Sequence, residues 1–169
     1  NAAGGTNHRY EVGDLVVIDG HIDLLFRGGL GPSEQTPALG SMGILQRNTP
    51  IYDSDLRRQT LAMAQRLNIP LHQGTYLATL GPTYETRAEY RAFRSFGADM
   101  AGMSTVPEVN LAAALGMRVL AFSVITNIAC PDKPEVIGHS DVVTQANYAR
   151  EKLVRLLTAL LNEWSGPPD

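Results

Sequence analysis

The chain has 169 residues, 44% of them hydrophobic and 18% charged, with 14 Lys and Arg against 17 Asp and Glu and a formal net charge of −3. This composition excludes collagen-like, coiled-coil and wholly disordered chains, and the mild negative charge disfavours nucleic-acid binding, which needs clustered basic residues. No apolar run approaches the ~20 residues of a membrane span, and the length predicts one domain with its own core.

The first half of the chain mixes one long irregular stretch with regular patterns. The segment NAAGG at 1–5 is small and glycine-rich, without Met or a signal peptide before it, so we expect a cut inside a longer precursor or a missing partner segment. The apolar run at 15–18 predicts a buried strand. Residues 27–50, with five Gly and three Pro, predict a long loop that serves as a lid, binding loop or subunit contact, or else as a surface insertion. Residues 53–67 predict an amphipathic helix.

Further along, strand and helix patterns alternate. Residues 74–79 predict a strand, and 86–96 predict a helix that opens with the capping-box pattern TRAE. Residues 99–103 predict a short strand or extended link, and 106–115 a helix that ends at Gly116.

The last two elements complete the pattern. Residues 117–126 are apolar nearly throughout, as in a strand that is covered on both faces. Residues 141–163 predict a long helix with Ser140 as its N-cap. Strands alternating with helices predict an α/β layered domain over 1–169, with a mixed, largely parallel sheet flanked by helices.

Polar residues follow the predicted strands at Glu85, Ser104 and Asn127, where α/β sheets bind ligands. Each also has a plainer interpretation. Glu85 could favour the positive end of the next helix, Ser104 or Thr105 could be an N-cap rather than an anion site, and Asn127 could turn the chain. His139 could be a solvated loop histidine or a neutral hydrogen-bonding group.

A metal site is not expected. His8, His21 and His72 form no metal-ligand spacing with one another or with Cys130. As the single cysteine, Cys130 cannot form an internal disulfide, which fits a reducing compartment such as the cytoplasm.

Several motifs in order resemble the trimeric purine nucleoside phosphorylase family, specifically its second half, over essentially all 169 residues. The matching runs are NAAGG at 1–5, EVGD at 11–14, GTY at 74–76, GPTYET at 81–86, GMSTVPE at 102–108 and ITN at 125–127, followed by His139. The GMSTVPE run is the most specific of them. The resemblance implies a three-layer nucleoside-phosphorylase-like fold, a homotrimer and purine salvage. It also implies reversible phosphorolysis of a purine (deoxy)ribonucleoside to a free base and a pentose 1-phosphate, with phosphate as co-substrate and without a metal or cofactor.

The resemblance also assigns roles. Asn127 would hydrogen-bond the six-position and imidazole side of the purine, Glu85 would accept from its N1–H, and His139 would contact the 5′-hydroxyl. Phosphate would be held by Ser104 and the Ala2 backbone, so we expect residues 1–5 to be ordered, buried and close to Ser104. The full set of implied nucleoside contacts is Ala2, Ala3, Gly4, Tyr84, Glu85, Gly102, Met103, Thr126, Asn127 and His139.

The pair Glu85 and Asn127 favours hypoxanthine and guanine nucleosides. Methylthioadenosine phosphorylases are similar but carry a serine-type residue and an aspartate at these positions, which suits a 6-amino purine. An asparagine can donate to an oxo group, whereas an aspartate accepts.

The chain departs from the family pattern in three ways. Tyr84 stands where Phe is common, and residues 27–50 lack the usual aromatic that reaches a neighbouring subunit. The first half, with its glycine-serine phosphate loop, an arginine and a histidine, is absent. We therefore expect this chain to be inactive alone and to act with a separate N-terminal segment. The alternatives are a non-catalytic purine-binding or assembly fragment, or a methylthioadenosine phosphorylase-like activity.

Overall fold

The computed structural model describes residues 1–25, 50–129 and 139–163, with side chains throughout except at 139–146 and 148. The predicted loop at 27–50 therefore lies outside the described residues apart from its last position. In chain order the elements are β1 (Ala2–Gly5), β2 (Leu15–Asp23), α1 (Ser54–Arg66), β3 (Leu71–Ala78), α2 (Arg87–Ser95), β4 (Met100–Gly102), α3 (Val106–Ala114), β5 (Phe122–Ile128) and α4 (His139–Asn162).

The five strands form one mixed sheet that closes on itself in the order β1-β4-β3-β2-β5. Three pairings are parallel, β2 with β3, β3 with β4, and β1 with β5, while β1–β4 and β2–β5 are antiparallel. The predicted α/β class with a mixed, largely parallel sheet and flanking helices is confirmed. The sequence does not predict that the sheet closes; the closure follows from β1, which pairs with both β4 and β5.

Apolar side chains fill the space inside the sheet and beneath the helices. Buried residues from β2, β3 and β5, among them Ile18, Tyr76 and Ile125, form the inner cluster. A second cluster lies between the sheet and α1 and α4, and it includes Met63 and Leu156. Apolar side chains therefore pack against both faces of the sheet, and this packing fixes the strand ends from which the rim loops begin.

The starts of α1 and α2 have side-chain caps. The Asp53 carboxylate accepts from the backbone amides of Asp55 and Leu56 at 2.9 and 2.8 Å. At α2, Thr86 and Glu89 form a reciprocal capping box, as the sequence pattern predicts. Each cap satisfies amide groups that would otherwise lack partners at the helix N-terminus.

Several element boundaries differ from the predictions. The strand predicted at 15–18 continues to Asp23, because its polar second half pairs with β3. The strand predicted from residue 117 begins at Phe122. The carbonyls of Val119 and Ala121 instead accept from the amides of Asp53 and Ile18.

The final helix begins two residues before the start predicted at residue 141. It begins at His139, so Ser140 lies within the helix and the prediction that it is the N-cap is wrong. The first two helical positions carry polar side chains and show no apolar periodicity, which is why the pattern alone did not include them. In the part of the chain that the structure describes, no helix is long and apolar enough to cross a membrane.

Candidate functional site

An open cleft of about 320 Å³ lies where β1 and β5 meet the segments that follow β3 and β4. It is lined by backbone and side chains from both ends of the sequence. The lining residues are Asn1, Ala2, Ala3, Gly4, Tyr84, Glu85, Ala101, Gly102, Met103, Ser104, Thr126 and Asn127. The structure thus brings every predicted site residue except His139 to one place, and their roles in binding stay predictions.

Asn127 contributes a polar side chain to the wall of the cleft. Its side chain is 7% exposed, and its Oδ1 accepts from the Thr126 hydroxyl at 3.3 Å. The Nδ2 group has no acceptor among the described residues. A Cβ atom on Gly4 would lie 3.0 Å from this Nδ2, so glycine allows β1 to pass close to the amide. The site therefore offers an unused hydrogen-bond donor at a defined position.

Glu85 contributes a carboxylate between the end of β3 and the start of α2. Its Oε1 accepts from the Thr79 hydroxyl at 3.2 Å, and its Oε2 accepts from the Tyr90 hydroxyl at 3.2 Å. Burial and the negative charge of Glu85 raise the pKa of Tyr90, so this phenol stays protonated and donates at neutral pH. An ionised carboxylate has about four lone-pair sites, so Glu85 can accept further bonds from a ligand.

Two apolar side chains are unusually accessible at the same cleft. Tyr84 is 48% exposed and Met103 is 40% exposed. A Cβ atom on Gly81, which has φ +63°, would overlap the Met103 sulfur, so glycine at this turn makes room for the methionine. An aromatic ring and a thioether beside a polar pair suit a flat ligand with polar edges.

The segment between β4 and α3 contains a strained turn. Thr105 has φ +75° and ψ −51°, and the Val106 amide donates to the Ser104 carbonyl at 2.8 Å, which together define a γ-turn. Such a backbone costs about 1–3 kcal/mol for a non-glycine residue. Thr105 is the N-cap of α3 by position, as one interpretation of the sequence has it, but its side chain makes no capping hydrogen bond; its hydroxyl instead accepts from Asn1 Nδ2 at 2.7 Å.

Asn1 links this turn to the sheet. Its Oδ1 accepts from the Ser123 hydroxyl on β5 at 2.8 Å, while its Nδ2 holds Thr105. Ala3 and Gly5 are buried as expected, whereas Gly4 is half-buried and Asn1 and Ala2 are exposed, so the expectation that the whole segment is buried is wrong. Both exposed residues line the cleft together with Ser104.

Tyr76 supports the same turn from inside the sheet. Its side chain is fully buried, and its hydroxyl accepts from the Ser104 amide at 3.3 Å. Burial raises the pKa of Tyr76. A Cβ on Gly102 would overlap the Tyr76 hydroxyl, which explains the glycine at that position.

The sequence predicts no role for Asn1, Tyr76, Thr79 or Tyr90, although the first two lie inside the motifs given above. Contacts across more than 20 positions in sequence join Asn1 to Thr105 and Tyr76 to Ser104, and no local pattern signals them. The Tyr90 contact could have been found, because a residue five positions after Glu85 lies on the first turn of the helix that follows it.

Two other predictions concern His139 and metals. His139 is the first residue of α4, and its side chain lies outside the described part of the structure, so its contact with a ligand stays a prediction. Over residues 1–25, 50–129 and 139–163, no group of three His, Cys, Asp or Glu side chains could hold a metal ion.

The chain is similar to several purine nucleoside phosphorylases. The chain is 38% identical over 99% of its length to a purine nucleoside phosphorylase of Rattus norvegicus, and 37% identical over 97% to purine nucleoside phosphorylase 1 of Bacillus subtilis. A solved Schistosoma purine nucleoside phosphorylase in complex with hypoxanthine matches with a TM-score of 0.86 and 30% identity, covering 98% of this chain and 61% of that one.

The match covers part of each relative. The chain spans 59% of the length of both the rat and the Bacillus proteins. The family model described as the phosphorylase superfamily matches residues 1–162, which include every element of the fold and every residue of the cleft. With a matching family model and matching solved structures over nearly its whole length, this chain belongs to the phosphorylase superfamily.

Proposed function

We propose that this chain supplies the purine-binding part of an enzyme that catalyses phosphorolysis of inosine- and guanosine-type nucleosides. One observation carries the proposal: a carboxylate acceptor, Glu85, and an amide donor, Asn127, line the same cleft as two exposed apolar side chains. A 6-oxopurine has an N1–H donor beside a carbonyl acceptor, and these groups complement that pair.

In the proposed reaction, an oxygen of phosphate forms a bond to the anomeric carbon while the bond from that carbon to the purine nitrogen breaks. The bonding electron pair moves into the purine ring. Asn127 donates to the purine as this negative charge develops, and Glu85 fixes the base by accepting from N1–H. Tyr84 and Met103 cover the faces of the base and sugar, with backbone contacts from Ala3, Gly4, Gly102 and Thr126 completing the pocket.

Phosphate is a co-substrate in this proposal, and no metal or organic cofactor takes part. Ser104 and the backbone of Ala2 would contact it, and the γ-turn at Thr105 sets the direction of the serine. His139 would bind the 5′-hydroxyl of the sugar.

The remaining phosphate ligands would come from elsewhere. We propose that a separate N-terminal segment completes the site, because the chain spans 59% of the length of its curated relatives. We further propose that the completed unit forms a homotrimer in the cytoplasm and serves purine salvage. The complete domain would then consist of that segment followed by residues 1–169 as its C-terminal portion.

The test is phosphorolysis by the complete enzyme, meaning this chain together with the proposed N-terminal segment. Similar phosphorylases have been solved in complex with inosine and also with adenosine, so both nucleosides belong in the assay. We expect phosphate-dependent release of hypoxanthine from inosine at a rate well above release of adenine from adenosine. Release of adenine at the higher rate would favour the methylthioadenosine phosphorylase-like alternative, and no release of either base would favour a non-catalytic fragment.

The intact mass of the purified material distinguishes the two-chain arrangement. A second polypeptide of comparable or smaller size should elute with the 18.3 kDa chain. A single 18.3 kDa species that cleaves inosine would contradict the need for a separate segment.

A further inference from the structure

We propose that the hydroxyl groups of Tyr90 and Thr79 are positioning groups that hold Glu85 in the cleft and thereby set its selectivity for bases with a ring N–H donor. The inference rests on the proposed function and deepens it, because it concerns the same base-binding carboxylate. Neither residue lines the 320 Å³ cleft itself. Both therefore act on a ligand through Glu85.

The two donors hold the two carboxylate oxygens separately. Thr79 reaches Oε1 from the end of β3, and Tyr90 reaches Oε2 from the first turns of α2, both at 3.2 Å. Two bonds from different elements define the plane of a carboxylate, which a single bond cannot do. The remaining lone pairs are then available in fixed directions.

Both donors are themselves fixed by backbone contacts. The Thr79 amide donates to the Gly102 carbonyl of β4 at 2.9 Å, and the Tyr90 amide donates to the Thr86 carbonyl at 3.0 Å. The capping box formed by Thr86 and Glu89 secures the start of α2 on which Tyr90 lies. Glu85 is thus connected through its two donors to the sheet on one side and to a capped helix on the other.

A second cavity explains why Glu85 needs such restraint. A space of about 220 Å³ adjoins the cleft, and Glu85, Tyr84 and Thr79 line it together with residues of α2. Because Glu85 borders both spaces, its flexible side chain has room to turn away from the cleft. The two hydroxyl bonds oppose that movement.

The arrangement also determines which ligand edge Glu85 accepts. The Thr79 and Tyr90 hydroxyls both donate to Glu85, so the carboxylate meets a ligand as an acceptor. A 6-oxopurine offers N1–H to such a group, whereas a 6-amino purine presents an N1 lone pair that repels it. Removing either hydroxyl should therefore weaken the binding of 6-oxopurines and leave the binding of 6-amino purines nearly unchanged.

The experiment compares Tyr90→Phe, Thr79→Val and the double variant with the wild type in the complete enzyme. Each single variant keeps its side-chain shape and loses one hydroxyl. We expect kcat/KM for inosine to fall about three- to ten-fold in each single variant, as for loss of one hydrogen bond. The value for adenosine should change less than about two-fold, and the dissociation constant of hypoxanthine should rise in parallel with the loss for inosine.

Two controls separate positioning from stability. Thr79→Ser keeps the hydroxyl and should preserve the wild-type ratio of inosine to adenosine. Tyr10→Phe removes a different buried hydroxyl, which donates to the Gln73 carbonyl at 3.0 Å and does not line the cleft. It should lower the thermal unfolding temperature without changing the ratio.

The outcomes are distinct for the two proposals. An unchanged ratio in both single variants of an active enzyme, or equal losses for both nucleosides, would overturn the positioning role while leaving the proposed function intact. A wild-type enzyme that neither cleaves inosine nor binds hypoxanthine would overturn both.

Discussion

The change Asn127→Asp addresses the proposed choice of base most directly. Asn127 is 7% exposed, so little water can replace a donor that is lost there. The substitution keeps the size of the side chain and replaces the unpartnered Nδ2 donor with an oxygen. A 6-oxo group would then face an acceptor instead of a donor, while a 6-amino group would gain a partner.

The size of the effect follows from the position of this donor. A donor aimed at charge that develops in the transition state contributes on the order of 2–4 kcal/mol. At about 1.4 kcal/mol for each factor of ten, this corresponds to a fall of about 30- to 700-fold in kcat/KM for inosine. The ratio of inosine to adenosine should fall by at least the same factor.

The assay measures initial rates of phosphorolysis for both nucleosides by the complete enzyme, in the wild type and in the variant. Asn147→Asp is the matched control, because it introduces the same charge at an exposed position of α4. It should leave both rates unchanged. If the ratio of the rates for inosine and adenosine were unchanged in Asn127→Asp, Asn127 would have no contact with the base that sets this choice.

Gly4→Ala places a Cβ 3.0 Å from Asn127 Nδ2, and the resulting displacement should lower kcat for inosine about ten-fold. Asn1→Ala loses the bonds that hold the γ-turn, so steady-state kinetics should show KM for phosphate rising about five- to ten-fold with a smaller change in kcat. Hydrogen bonding to Arg118 holds the pKa of Asp53 at about 2, below its ordinary 3.8. The stabilisation from this pair is complete above about pH 4 and is lost as the pH falls towards 2, so Asp53→Asn should cost about 1 kcal/mol at pH 7 in chemical denaturation after solvent screening.

Each of these has an outcome that would contradict it. Gly20→Ala is the control for the first, because its added Cβ would meet no atom closer than 4.0 Å; equal losses in both variants would show a general effect of alanine in a strand. An unchanged KM for phosphate in Asn1→Ala would separate the turn from phosphate binding. If Asp53→Asn were as sensitive to acid between pH 4 and 2 as the wild type, other carboxylates would account for the loss of stability.

Local patterns predicted most of the fold because its elements have clear periodicity or caps. The helix at 53–67 and the capping box at Thr86 are examples, since the residues that specify each lie within one or two turns. The strand β1 has no such signal. Its four small residues become a strand only through pairing with β4 and β5, which are about 100 positions away.

The candidate site also has residues that the sequence predicts and contacts that it does not predict. Glu85, Ser104 and Asn127 could be predicted because each follows or ends a strand, and the sheet brings such positions together. The hydrogen bonds from Asn1 to Thr105 and from Ser104 to Tyr76 could not be predicted, because they depend on the closed sheet. Pairing between distant segments creates contacts that cannot be read from the local amino-acid sequence.

The structure of the complete enzyme with hypoxanthine and phosphate tests the central claim most directly. We expect the base in the 320 Å³ cleft, with its N1 within about 3 Å of a Glu85 oxygen, its oxo group or imidazole nitrogen within the same distance of Asn127, and phosphate beside Ser104. Hypoxanthine bound elsewhere, or bound here with neither Glu85 nor Asn127 in contact, would contradict it.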